Sequence, residues 1–132
     1  IMEEGRVARL VQVGIRTMNA HQRAQADRFG VEVIDMVAWR PDRAVTTEGP
    51  VYVSLDLDVL DPAFAPGVSH PEPGGLSTRD AVAFLQGLDG PVVGADLVEL
   101  NPTRDPTSLT AMVAAKLAKE LLALLLTTAE CR

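Results

Sequence analysis

The sequence predicts an α/β protein in which a parallel sheet is flanked by helices in three layers, with residues 1–132 belonging to a single domain. Three observations carry this. Apolar runs of strand length alternate with stretches of helical character, which implies right-handed crossovers between parallel strands. The run Val51 to Leu57 is almost continuously apolar, as in a strand covered on both faces. Helix start and stop signals also recur where the alternation requires them.

Taken in order, Leu10 to Ile15 reads as a short buried strand. The polar stretch from Asn19 to Arg28 reads as a helix that closes at Phe29-Gly30, with Gly30 as its stop. Val31, Val33 and Met36 suggest a second strand, and 40–50 reads as loop around Arg40-Pro41-Asp42 and Thr46 to Pro50. Val51 to Leu57 is the third strand. Pro62, Pro66, Pro71 and Pro73, with Gly67, Gly74 and Gly75, make Asp61 to Leu76 an irregular loop, and loops of that length in compact domains usually serve function or are disordered. Ser77 followed by Asp80 is a capping-box start, so a helix is expected from Ser77 to Leu88, ending at Asp89-Gly90-Pro91. Val92 to Val98 is the fourth strand. Asp105 as cap and Pro106 at the first helical position are expected to open a long helix whose core stripe is Leu109, Met112, Val113, Leu117, Leu121 and Leu124.

The composition narrows the function classes. A net charge of -6 with scattered basic residues argues against a nucleic-acid footprint and is compatible with a cationic substrate. No stretch reaches the roughly 18 to 20 consecutive apolar residues of a membrane span. The single cysteine, Cys131, has no partner for an internal disulfide and reads as a tail residue without a role. The chain begins with Ile1 rather than Met, which leads us to expect that it starts partway through a longer protein.

The chemistry concentrates at strand ends. In open parallel sheets ligands bind beyond the carboxyl ends of the strands. Arg16 closes the first strand, Asp56 and Asp58 the third and Glu99 the fourth. Residues two apart on a strand point the same way, so Asp56 and Asp58 are expected to converge on one face, an arrangement suited to hard divalent cations. Asp-x-Asp also occurs in magnesium-dependent sugar transferases, but no Gly-rich phosphate loop follows a strand here. Asp61, before a proline, reads as a turn former. Asp96 lies three residues before Glu99 and reads as structural or as support for the site. Asn19 and His21 read as exposed helix-start residues.

The run Ser54-Leu55-Asp56-Leu57-Asp58-Val59-Leu60-Asp61-Pro62, the loop through Gly75, the segment Gly94-Ala95-Asp96-Leu97-Val98-Glu99-Leu100-Asn101-Pro102 and the strand start Gln12 to Arg16 together resemble the ureohydrolases, the family of arginases and agmatinases. Gly67 to Gly75 and Thr110 to Leu117 look most like its plant-type arginase branch. The resemblance covers essentially the whole chain and implies the C-terminal part of a single arginase-like domain, incomplete on its own. It implies two Mn2+ ions per complete site, held in part by Asp56 and Asp58, the former bridging both. Such a pair lowers the pKa of a shared water, whose hydroxide attacks the guanidino carbon of the substrate. Glu99 matches the residue that orients the guanidinium, a role for which a carboxylate accepting two parallel N–H bonds is suited. His70 falls where the family reaches the substrate and is expected to contact it or tune the site.

The family's remaining ligands, a histidine in a Gly-Gly-Asp-His run and an Asp-Ala-His-x-Asp cluster, do not occur in this sequence, and neither does its upstream shuttle histidine. The implied activity is therefore that of a longer parent: manganese-dependent release of urea from arginine, with agmatine as the alternative substrate. The chain alone is expected to be inactive, a fragment or pseudoenzyme subunit. The resemblance further implies a homo-oligomer in the cytoplasm, or in mitochondria if plant-type. The unpaired interior sheet edge left in such a piece is expected to make it poorly soluble.

Overall fold

The computed structural model describes residues 1–42 and 45–130; Cys131 lies outside them. The chain forms two compact units, Ile1–Arg40 and Pro41–Arg132. Strands in each pair in parallel: β1 (Val11–Ile15) with β2 (Glu32–Asp35), and β3 (Val51–Asp56) with β4 (Val92–Val98).

In the first unit, helix α1 (Ala20–Phe29) connects the two strands. Its ends follow from local chemistry. The Asn19 side-chain Oδ1 accepts from the Gln22 backbone N–H at 2.8 Å and the Gln22 side-chain Oε1 accepts from the Asn19 N–H at 2.8 Å, a reciprocal cap. Gly30 takes φ 62 and returns its N–H to the carbonyls of Ala26 and Asp27. Gly14, at φ 81, sits where the β1–β2 register shifts, a conformation that a side chain would oppose. His21 is exposed, as its place at a helix start suggests.

In the second unit α2 (Thr78–Gln86) is the crossover between β3 and β4, and α3 (Leu109–Glu130) packs against β4 and α2. Ser77 and Asp80 form the anticipated capping box, while the helix closes at Gly87 rather than at Gly90. Leu85 and Leu117 are wholly buried where α2 meets α3, and each removes enough apolar surface from water to contribute roughly 1.5–3 kcal/mol. At the rim Gln86 donates to Glu120 at 2.9 Å, and Lys116 pairs with the same carboxylate; Lys116 first and Gln86 second hold its pKa below the ordinary value.

Two expectations are corrected here. The helix opens at Leu109, three residues beyond Pro106, because Ser108 adopts φ 57 and interrupts it. Asp105 nevertheless caps it at a distance, accepting from the backbone N–H of Thr110 at 3.1 Å and Ala111 at 2.8 Å. Burial pushes this carboxyl upward, but the N–H groups of Ala111, Thr110 and Leu109 and the Thr110 hydroxyl outweigh it and leave the pKa low. The core stripe is also rotated. Thr110, Ala114, Leu117 and Leu121 are buried, whereas Met112 is 61% exposed and Leu109 faces outward in part.

Along β3, among the described residues, Leu55 is buried whereas Tyr52, Ser54 and Asp56 are exposed, so in this chain the strand is not enclosed on both faces as its apolar run suggested. Among the described residues no helix is long and apolar enough to cross a membrane.

Candidate metal and substrate site

The site is built where β3 and β4 end. Their register places Asp56 opposite Val98, so the chain leaves both strands at one level. After Asp56 it winds into a single 3-10 turn, Leu57–Val59, with the Asp56 carboxylate accepting from the Asp58 N–H at 2.8 Å. Leu57 is thereby turned into the core and Asp58 moves off the strand. β3 therefore stops between the two aspartates, and Asp58 is presented by the turn rather than by the strand.

The long loop is ordered by its own polar groups. Its two ends are bridged, Asp61 N–H to the Leu76 carbonyl and Leu76 N–H to the Val59 carbonyl, each at 2.9 Å. Asp61 has the structural role expected of it, accepting from the N–H groups of Ala63 at 2.9 Å and Gly74 at 2.7 Å. The loop's middle is stapled to the segment after β4. The Asn101 N–H donates to the Gly67 carbonyl at 2.8 Å, the Asn101 side chain to the Ser69 hydroxyl at 3.1 Å, and the Gly67 N–H to the buried Thr110 hydroxyl at 2.7 Å. These contacts deliver His70 to the strand ends.

The outcome is one convergent set of donors. Asp58, His70 and Glu99 each offer a ligand atom within 4.8 Å of the others. His70 Nδ1 lies 3.6 Å from an Asp58 carboxylate oxygen, and the Asp58 side chain is only 19% exposed while His70 is open to solvent at 85%. Two carboxylates and an imidazole suit a divalent metal of hard to borderline character. Asp56 is not one of the three; it caps the turn that presents Asp58. The sequence places Asp56, Asp58 and Glu99 at the strand ends and gives His70 as a residue that contacts the substrate or tunes the site. The signal for its place among the donors is Asn101, whose contacts to Gly67 and Ser69 draw the loop in, and sequence order does not disclose that pairing. Arg16 follows β1 in the first unit.

Glu99 stands at φ 68, a left-handed conformation that costs a residue with a side chain roughly 1–2 kcal/mol. Glycine would adopt it freely at an entropic cost of roughly 0.5–1 kcal/mol. The Glu99→Gly variant is therefore expected to melt no lower than the parent chain in thermal denaturation. A clear loss of stability would mean that the Glu99 side chain supports the fold rather than a ligand.

The arginase family model matches residues 1–124. The chain belongs to the arginase family. Mitochondrial arginase 1 of Arabidopsis thaliana is 55% identical over 131 residues, covering 93% of this chain and 38% of that protein. The agmatinase of Chromobacterium violaceum is 39% identical over 126 residues, covering 87% of the chain and 37% of its own length. The structure of the Medicago truncatula arginase superposes with a TM-score of 0.86 at 49% identity, over 95% of this chain and 42% of that one. The chain thus spans under half the length of these arginase-family relatives, and the incomplete arginase fold follows from that.

Proposed function

We propose that the full-length protein is a manganese-dependent amidinohydrolase that converts L-arginine to ornithine and urea. The observation that carries this reading is the convergence of Asp58, His70 and Glu99 at the ends of paired parallel strands in an arginase-family chain. The greater identity to a plant arginase than to an agmatinase favours arginine over agmatine.

The donor chemistry fits a divalent cation, with Asp58 as the ligand the geometry favours and Asp56 beside it as the ligand the family resemblance implies. Bound manganese would supply Lewis acidity and water ionised at neutral pH. Glu99, exposed at the strand end, accepts parallel N–H bonds from the planar guanidinium and holds its carbon at a fixed distance from Asp58. His70 borders the same space and contacts the substrate from the loop side. Water adds to the guanidino carbon, the bond to the substrate's alkyl nitrogen breaks, and that nitrogen leaves as the amine after taking up a proton. The net negative charge of the chain favours the approach of a cationic substrate. No nucleic-acid or membrane partner enters the proposal; homo-oligomeric assembly does. The name of the Arabidopsis relative favours the mitochondrial alternative over the cytoplasm.

The test is urea release by the full-length protein loaded with Mn2+, on arginine and on agmatine in parallel. Arginine is expected to be the better substrate. A preference for agmatine would establish the agmatinase alternative, and no urea from either would overturn the proposal. Because the Gly-Gly-Asp-His and Asp-Ala-His-x-Asp motifs are not among these 132 residues, the chain alone is expected to release none.

A further inference from the structure

The exposed face of the β3–β4 pair carries a polar arrangement that the proposed reaction does not use. Asp96, on β4, receives two hydroxyls from β3. Ser54, its register partner, donates to one carboxylate oxygen at 2.6 Å, and Tyr52 donates to the other at 3.0 Å. Tyr52 pairs in register with Gly94, and its ring lies so close over that residue that a Cβ there would come within 2.8 Å of two ring carbons. Gly94 therefore leaves the space that lets the ring lie across β4 and point its hydroxyl at Asp96. The Asp96 hydrogen bond, then desolvation, then the carboxylate charge raise the Tyr52 pKa above its ordinary value.

We propose that Asp96 is a positioning residue that locks the register of β3 against β4 and so sets the distance between Asp58 and Glu99. Only slips by an even number of residues keep each side chain on its own face, so a two-residue slip is the competitor to be excluded. Slipped one way, Asp96 would face Asp56, carboxylate against carboxylate at the strand ends. Slipped the other way, it would face Tyr52 and lose the Ser54 bond. Only the observed register gives both carboxylate oxygens a hydroxyl partner. One residue step beyond this clamp on β3 lies Leu55, then Asp56 and the turn to Asp58; on β4, Leu97 and Val98 lead directly to Glu99. The consequence for catalysis rests on the amidinohydrolase reading, while the lock itself does not.

The chain holds a single tyrosine, so its phenolate absorbance reports Tyr52 alone. In Asp96→Asn the Tyr52 titration is expected to move down toward the ordinary tyrosine value. Gly94→Ala, which keeps Asp96 but displaces the ring, is expected to do the same. Amide hydrogen exchange at the carboxyl ends of β3 and β4 is expected to speed up about tenfold in Asp96→Asn, and less in Ser54→Ala, with protection in α2 and α3 unchanged. An unmoved titration, or exchange that rises equally throughout α2 and α3, would overturn the lock. In the Mn2+-loaded full-length protein, Asp96→Asn is expected to lower kcat more than it raises KM. If the parent shows no activity at all while the titration and local exchange shift as described, the lock stands and the functional reading falls.

Discussion

Asp58→Asn in the full-length protein is expected to reduce urea release roughly a thousandfold, because several kcal/mol of transition-state stabilisation depend on a held divalent ion. The substitution keeps the size of the side chain and removes its charge. The bond from the residue 58 N–H to the Asp56 carboxylate is a backbone contact and survives, so the 3-10 turn and the buried Leu57 stay in place. What is lost is one of the two carboxylates of the convergent set, and with it the carboxylate oxygen that lies 3.6 Å from the His70 Nδ1. Steady-state kinetics and Mn2+ titration, with a melting curve to confirm an intact fold, are the measurements. Activity within tenfold of the parent protein would remove Asp58 from the site.

Gly67→Ala is expected to destabilise the second unit by about 3 kcal/mol, the upper part of the range for adding a methyl to a filled interior. A Cβ at Gly67 would lie 2.4 Å from the Asp105 Cβ and 2.9 Å from both the Asp105 Cγ and the Thr110 hydroxyl oxygen. None of these atoms is the free end of a long side chain. The Asp105 carboxylate is tied to the start of α3 and the Thr110 hydroxyl to the Gly67 N–H itself, so relief requires the loop to withdraw. Withdrawal would also break the bond from Asn101 to the Gly67 carbonyl and carry His70 away from Asp58 and Glu99. Urea denaturation of the chain measures the effect, and a loss below about 1 kcal/mol would show that the loop yields without cost.

What was legible in the sequence is local. The β4 boundaries, the Ser77–Asp80 capping box, the Gly30 helix stop and the turn made by Asp61 each depend on groups a few residues apart, and each appears as anticipated. The α3 stripe was misplaced for the opposite reason. Leucine and methionine spacing favoured Leu109 and Met112, yet the buried residue is Thr110, a polar side chain whose burial depends on the N–H of Gly67, 43 residues away. No periodicity within the helix encodes that partner.

The candidate site divides along the same line. By itself the sequence determined the family, the alternation of strand and helix, and the presence of Asp58 and Glu99 at the ends of neighbouring strands, because residue type and spacing along the chain are enough for each. Only the tertiary structure decided that Asp56 caps a turn, that His70 comes within 4.8 Å of Asp58 and Glu99 and that Asp96 bridges two β3 hydroxyls. Those facts depend on where a strand stops, how a loop is stapled and which register two strands adopt. Each is set by hydrogen bonds between groups distant in sequence, whose pairing is chosen by the packed fold and not by any one segment.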